Sequence, residues 1–550
     1  MKFLIIAALL LCSVVARGEL PSAGVATSHP IATEVGEAVL ADGGNAFDAA
    51  VAISAVLAVV EPHRSGLGGG GFYLLHRESD GFQVMVDARE TAPSSATWNM
   101  YLDDEGNVIE NASRFGATSA GIPGEPAAFV HITEKYGRLS LEKNLSYAIQ
   151  YARNGFPVYE HYQSGLTRKA ELMRGQAAGK VYLDRGQVPE AGYIVKQRDL
   201  AKTMERLAAK GHAGFYEGKV AKALVKGVTR AGGHWQLQDL ANYRVLERAP
   251  LVGEYKGIRV VSVPPPSAGG MALISSLNIL SGFDLSESGV STTHLTVEAM
   301  RRAFRDRSQF LGDTDFVSVP IDKLTHPFYA DGLRASIRQD KAGSSLALAA
   351  TEPDGPKGTE TTHFSIIDQE GNRVSASLSL NWWYGSGFMV PGTGVLLNNQ
   401  MDDFASKPGT PNGFALLGGR PNAIAPNKRM LSSMTPTFLE SDRGVAVLGT
   451  PGGSRIISMV LLATLAWSEG ATAEQMVALP RFHHQYLPDE VFFEPGALSE
   501  EAQRELEAMG HVLRESSRLY GNMQVVIWDK QKGIVEVGID PRGYKDVLVY

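Results

Sequence analysis

Apolar residues recur at helical spacing from Ile31 to Ala41, and the repeat stops at Gly43 Gly44, where glycine can adopt the positive φ that ends a helix. Asn45 is placed to cap a second helix, Ala46 to Val60, whose only polar interruptions are Asp48 and Ser54. With no polar face to offer to solvent, that segment is expected to be an internal helix with layers packed around it. The run Gly66 Leu67 Gly68 Gly69 Gly70 Gly71 leads into Phe72 Tyr73 Leu74 Leu75, the pattern of a close backbone approach feeding a strand. It lacks the Gly-Lys-Ser/Thr ending of a phosphate loop, which favours close packing over a nucleotide site.

Further along, Leu200 to Gly218, Val220 to Ala231 and Thr293 to Leu311 carry helical periodicity, whereas Leu251 to Val263 alternates as strands do before Pro264 Pro265 Pro266. Residues 341–360 then gain Gly, Ser, Pro and charge and lose all periodicity, which predicts a mobile connector. Beyond it lie two β-rich runs, Thr361 to Asp368 and Asn372 to Asn381, separated by Gln369 Glu370 Gly371. Three residues ending in glycine suit a hairpin built on a type I turn and a bulge. With Asp368 facing Asn372, counting back along the ladder sets Thr361 opposite Ser379. The remainder alternates strand and helix, including Val445 to Leu448, Ile456 to Trp467 and Met523 to Trp528, without an internal repeat.

Composition narrows the setting. The 550 residues, 44% hydrophobic, suffice for a large core of mixed α and β structure. Met1 Lys2, the apolar stretch Phe3 to Val15 and the small residue Ala16 have the form of a secretory signal peptide, so residues 1–16 are expected to be removed and the protein to be periplasmic or secreted. The stretch is shorter than the roughly 18 to 20 residues of a membrane span, which argues against an anchor. Cys12, the only cysteine, lies inside it, leaving a mature chain without thiol, disulfide or thiolate metal site. The net charge of −7 and the lack of a basic patch with interleaved aromatics argue against nucleic acid.

A threonine hydroxyl is a poor nucleophile by itself. As the first residue of a chain, however, it lies beside its own α-amine, which titrates at about pH 8 and can take its proton. In an uncut chain that nitrogen is an amide, so cleavage between Glu360 and Thr361 would turn a precursor into an enzyme. By pattern alone, Thr361 and Thr362 do no more than open a strand.

The company of Thr361 changes that reading. Thr361 Thr362 His363 Phe364 Ser365 with Asn381, Asn398 to Phe404, Pro426 to Met434 and Gly449 to Arg455 closely resemble the γ-glutamyltransferase family, also called glutathione hydrolases. Upstream, Asn45 to Ala50, the glycine run at Gly68, Asp87 to Pro93 and Pro264 to Gly270 are also similar to family motifs, so the likeness spans nearly the whole mature chain. The resemblance implies an α+β fold, a four-layer αββα sandwich of the N-terminal-nucleophile hydrolase type. It also implies autocatalytic cleavage into a large subunit, 17–360, and a small subunit, 361–550, which stay together as a heterodimer.

Carried onto matching positions, Thr361 becomes the nucleophile and Ser379 the second hydroxyl near it, where a threonine is more familiar. The backbone amides of Gly452 and Gly453 become the oxyanion hole, whose donors must be fixed before charge develops. A γ-glutamyl group also carries an α-carboxylate and an α-ammonium, and each must meet a partner when buried. Arg89 suits the carboxylate with its planar fork, aided by the hydroxyls of Ser432 and Ser433. Asp403, helped by Gln400 and Asn381, suits the ammonium. Glutathione, other γ-glutamyl amides and amino acid or dipeptide acceptors are the implied substrates.

The Gly-, Pro- and Asn-rich segment from Phe404 to Pro426 matches a lid in the family, with Phe414 where other members place a tyrosine. Trp382 and Trp383 follow Asn381 directly and either shape the acceptor side or form a packed aromatic cluster. His483 and His484 have no further spaced ligands, so no metal and no organic cofactor is expected. Two alternatives remain: a cephalosporin (glutaryl) acylase of the same superfamily, whose substrate lacks the α-ammonium, and a non-catalytic exported γ-glutamyl-binding protein.

Overall fold

A computed structural model describes residues 22–285, 289–348 and 361–543. The expected signal segment 1–16 and the bond between Glu360 and Thr361 lie outside the described residues.

The segment after the connector folds as its pattern predicts. Strands Thr362–Ile367 and Arg373–Ser379 pair antiparallel, with Leu378 opposite Thr362, so the next rung outward sets Ser379 against Thr361. Asp368 N donates to Asn372 O at 2.9 Å, and Gly371 takes φ +87°, which closes the three-residue turn. This hairpin is the centre of a six-stranded antiparallel sheet. Gly24–Thr27 flanks it on one side, and Gly70–Arg77, Phe82–Ala88 and Leu246–Arg248 follow on the other. A second antiparallel sheet runs Ile534–Ile539, Gln524–Asp529, Gly444–Gly449, Thr437–Ser441, Ile258–Ser262, Leu251–Tyr255.

Alternation along the strands builds the layers. Leu74, Met85 and Ile367 of the first sheet meet Val261, Phe438, Val447 and Val526 of the second in one buried cluster between the sheets. The opposite face of the first sheet, with Leu75, Val86, Ile366 and Val374, packs under the helices Pro30–Ala41 and Ala46–Val60. The opposite face of the second, with Val260, Leu439, Ala446 and Ile527, packs against Gly269–Leu280, Val290–Phe310 and Arg455–Ser468. Helix, sheet, sheet, helix is the expected four-layer sandwich. Residues before and after Thr361 contribute to both sheets and to all three of these clusters, so a cut ahead of Thr361 leaves the two pieces sharing one core.

The internal helix Ala46–Val60 is buried at all 15 positions. Its polar interruption is satisfied: the Asp48 carboxylate accepts from the backbone amides of Asn45 (3.1 Å), Arg138 (2.8 Å) and Leu139 (3.1 Å) and from Asn144 Nδ2 (3.0 Å). The glycine run is a site of close approach. A Cβ on Gly68 would lie 1.9 Å from Leu396 O, and one on Gly69 would lie 2.3 Å from Ser379 O, which brings the run against the strand that ends beside Thr361. The helix expected over Leu200 to Gly218 is divided into Arg198–Lys210 and His212–Tyr216, because Gly211 adopts φ +54° between them.

The connector is described only at its start, residues 341–348. Its first residues are anchored, with Gly343 N donating to Glu298 Oε1 (3.0 Å) and Ser345 N to Asp489 Oδ2 (2.7 Å). Periodicity could not reveal this, because the partners are long-range carboxylates. Residues 349–360 lie outside the described residues. No described helix is long and apolar enough to cross a membrane.

Candidate active site

Thr361 is buried at the mouth of the hairpin, beside Ser379 on the neighbouring strand. Its position is fixed through Thr362, whose Oγ1 donates to Glu61 Oε2 at 2.8 Å and lies 2.7 Å from Ser28 Oγ. Burial opposes ionisation of Glu61, but Arg64, His63 and His29 outweigh it and hold the carboxyl down at about 2, so the anchor is a charged acceptor. Beyond Ser379 the chain turns sharply: Asn381 takes φ +80°, its N donates to Ser379 Oγ at 2.8 Å and its Nδ2 donates to Asn399 O at 3.0 Å. The Ser379 hydroxyl therefore accepts from the backbone and is oriented next to Thr361.

Thr361, Ser379 and Asn381 line a cavity that also gathers Arg89, Gln400, Asp403, Phe414, Ser432, Ser433 and Gly453. The sequence-expected residues of nucleophile, carboxylate side and ammonium side thus line one cavity. Arg89 is fully buried: its Nε donates to Met430 O at 3.1 Å and its Nη2 is paired with Asp403 Oδ2. With its side-chain amide turned to suit both neighbours, Gln400 donates to Asp403 Oδ2 at 3.3 Å and accepts from Arg89 Nη1 at 2.6 Å. Burial pushes Asp403 up to about 6, although Arg89 and Arg307 draw it down. Burial likewise pushes Glu90, 3.6 Å from Arg89 Nη1, up to about 8, which keeps a second negative charge from competing for the guanidinium near neutral pH.

Ser432 is set by the Pro264 to Gly270 motif: its N donates to Pro266 O at 2.8 Å and its O accepts from Ala268 N at 2.9 Å. Gly452 and Gly453, at φ +149° and +59°, form the turn from strand Gly444–Gly449 into helix Arg455–Ser468. An amide there lies at the positive end of a helix dipole and suits an oxyanion. Of the two, Gly453 lines the cavity, while a Cβ on Gly452 would lie 2.6 Å from Met459 Cε.

Trp382 and Trp383 part company. Trp382 packs on Phe414 of the expected lid, ring centroids 5.5 Å apart, with the Arg114 guanidinium over its ring at 5.2 Å. Trp383 turns into the helical layer, stacked on His63 at 5.0 Å and filling the space at Gly165, where a Cβ would lie 1.9 Å from its ring. The packed-cluster reading describes Trp383; neither indole is among the residues lining the cavity. Sequence reasoning did not single out Arg307, Leu416, Leu431, Met434, Ser454 and Ile456, all of which do line it. Arg307 is buried on helix Val290–Phe310, its Nη2 donates to Ser433 Oγ at 3.3 Å, and burial lowers it to about 10. Its only sequence signal was a charge on a helix with apolar periodicity.

His483 and His484 are turned to other partners, Ser458 and Gln485 for the first and Asp489 for the second. Elsewhere, His294, Glu298 and His511 bring ligand-type atoms within 4.8 Å of one another. Glu298 is there already engaged by Arg301 and Arg302, whose charge opposes a cation.

A family model described as Gamma-glutamyltranspeptidase matches residues 32–550. The chain belongs to the γ-glutamyltranspeptidase family. Among its relatives, the glutathione hydrolase proenzyme of Pseudomonas sp. (strain A14) is 43% identical over 493 residues, 88% of this chain and 85% of that protein. The glutathione hydrolase proenzyme of Escherichia coli (strain K12) is 38% identical over 530 residues, 95% and 91% of the two chains. The crystal structure of cephalosporin acylase from Bacillus halodurans superposes with a TM-score of 0.83 at 26% identity, covering 95% of each chain. The γ-glutamyltranspeptidase chain therefore has the N-terminal-nucleophile hydrolase fold, and its cavity lies where the two sheets and the Gly453 turn meet.

Proposed function

We propose that this γ-glutamyltranspeptidase is an exported, self-cleaving enzyme that hydrolyses glutathione and other γ-glutamyl amides and passes the glutamyl group to acceptor amines. In this reading residues 1–16 are removed, and cleavage ahead of Thr361 yields large (17–360) and small (361–550) subunits that remain a heterodimer through their shared core. The proenzyme names of its relatives support the cleavage.

The freed α-amine of Thr361 takes the proton from its own Oγ, which attacks the γ-carbonyl. The oxyanion is met by the backbone amides of Gly452 and Gly453. Collapse expels the amine, which receives the proton back, and leaves a γ-glutamyl ester on Thr361. Water or an acceptor amine, deprotonated by the same α-amine, resolves the ester. Ser379 orients the Thr361 hydroxyl. Arg89 with Ser432 and Ser433 holds the α-carboxylate, and Asp403 with Gln400 and Asn381 holds the α-ammonium.

The observation that carries this reading is the pairing of Arg89 with Asp403 in the cavity that Thr361 lines. A zwitterionic α-amino acid end supplies one charge to each member, so the pair can open without leaving either charge unpartnered. The acylase alternative rests on the likeness to the Bacillus halodurans enzyme. A glutaryl chain has no ammonium and would leave Asp403 buried without its new partner, which disfavours that substrate. The test is turnover of a γ-glutamyl anilide against a glutaryl anilide, with and without an acceptor dipeptide. Release from the first only supports this reading; preference for the second supports the acylase; release from neither by fully cleaved protein supports a binding protein.

A further inference from the structure

Gln485 follows His483 and His484, and its side chain lies between two parts of the site that are well separated along the chain. We propose that Gln485 is a positioning residue that ties the lid over the glutamyl pocket to the oxyanion turn, so that closing the lid and setting the oxyanion donor are one event. The inference rests on the preceding reading of Gly453 as an oxyanion donor and of the 404–426 segment as the lid.

The side chain is buried and used at both ends. Its Oε1 accepts from Ser454 Oγ at 2.7 Å, and Ser454 is the residue after Gly453. Its Nε2 donates to Phe414 O at 3.2 Å and Ala415 O at 3.1 Å, on the lid, and to Leu487 O at 3.3 Å. Three carbonyls on one end fix which end is the amide nitrogen, since a carbonyl can only accept. The same logic fixes His483. Its Nε2 lies 3.0 Å from Gln485 Oε1, so it must be the donor there, while its Nδ1 lies 2.6 Å from Ser458 Oγ. Gln485 Oε1 is thus clamped by two donors and its Nε2 is aimed at the lid.

What it holds there is strained. Ala415 adopts φ +58°, a left-handed conformation without glycine, between Phe414 and Leu416, both of which line the cavity. Asn412 Oδ1 braces the same turn from the other side, accepting from Phe414 N at 2.9 Å and Leu416 N at 3.1 Å. These side chains brace the turn in addition to its own backbone bonds, Ala415 N to Asn412 O at 2.9 Å and Asn412 N to Leu416 O at 3.1 Å. Gln485 is the member of the set that also reaches the oxyanion turn.

The experiment compares the full chain with Gln485→Leu, Gln485→Glu, Ser454→Ala and the double variant Ser454→Ala/Gln485→Leu. Each is normalised to the fraction of molecules whose small subunit begins at Thr361, and kcat and KM are measured on a γ-glutamyl anilide. Gln485→Leu is expected to lower kcat by roughly 10- to 100-fold, the scale of a misplaced catalytic group. The double variant should be no worse than Gln485→Leu, because both changes break one connection. Gln485→Glu keeps an acceptor for Ser454 and His483 but has no donor for the lid. It should raise KM, retain more kcat than Gln485→Leu, and speed proteolysis within residues 404–426. Mature Gln485→Leu with unchanged kcat and KM, or fold-effects of Ser454→Ala and Gln485→Leu that multiply, overturns the inference. Should Gln485→Leu not mature, Gln485→Glu decides: unchanged KM and unchanged lid proteolysis overturn it. An inactive but fully cleaved wild type would instead refute the reading of the pocket itself.

Discussion

Arg89 and Asp403 face one another inside the cavity as an ion pair, with Gln400 bridging them. Its two charges are complementary to those of a zwitterionic α-amino acid end, one for each member. Arg89→Lys keeps the charge and loses the planar fork that can bind both oxygens of a carboxylate. Its kcat/KM for a γ-glutamyl anilide should fall by roughly 100-fold, mostly through KM, the scale of a charge-assisted bidentate contact. Steady-state kinetics on the two proteins checks this.

The pH profile carries a second prediction. Asp403 must be ionised to hold an ammonium, and burial pushes it up to about 6. As pH falls through that value the carboxylate protonates and kcat/KM should drop. The α-amine of Thr361 must be neutral to act as base, which adds a limb at about pH 8 in the same direction. The free enzyme should therefore show two acid limbs, and Asp403→Asn should remove the lower one. A profile of kcat/KM from pH 5 to 9 on both proteins tests it.

Substrate choice should move with the same residue. Asp403→Asn gives up the partner of the α-ammonium and is expected to narrow the preference for γ-glutamyl over glutaryl anilide by roughly 100-fold or more. The ratio of kcat/KM values for the two anilides is the readout.

Stability depends on a different buried carboxylate. Asp48→Ala would strip four donors of their acceptor beneath the first sheet. The cost should be about 3 kcal/mol, read as a lower denaturation midpoint in urea without loss of cleavage.

Local signals carried far in this chain. Asn45 announces a helix cap because its side chain acts within three residues, accepting from the amides of Phe47 and Asp48. The turn ending in Gly371 sets the register that brings Ser379 beside Thr361, since a side-chain period of two leaves little freedom once the loop is known. Arg307 and Gln485 were illegible for the opposite reason. Their partners, Ser433, Ser454 and Phe414, lie far off along the chain, and nothing in a helical or loop pattern tells which distant carbonyl a buried amide will meet. Trp383 sits two positions from Asn381 yet leaves the site, because the positive φ of Asn381 and Tyr384 turns the chain sharply on either side of it.

The central claim is that a backbone amine freed by cleavage activates its own side-chain hydroxyl. The direct measurement is mass spectrometry of protein quenched during turnover of a γ-glutamyl substrate, alongside Thr361→Ala. The account predicts one γ-glutamyl increment on a peptide whose first residue is Thr361, and an uncut, inactive Thr361→Ala chain. An increment on another residue, or full activity in a chain still joined through Glu360 and Thr361, would contradict it.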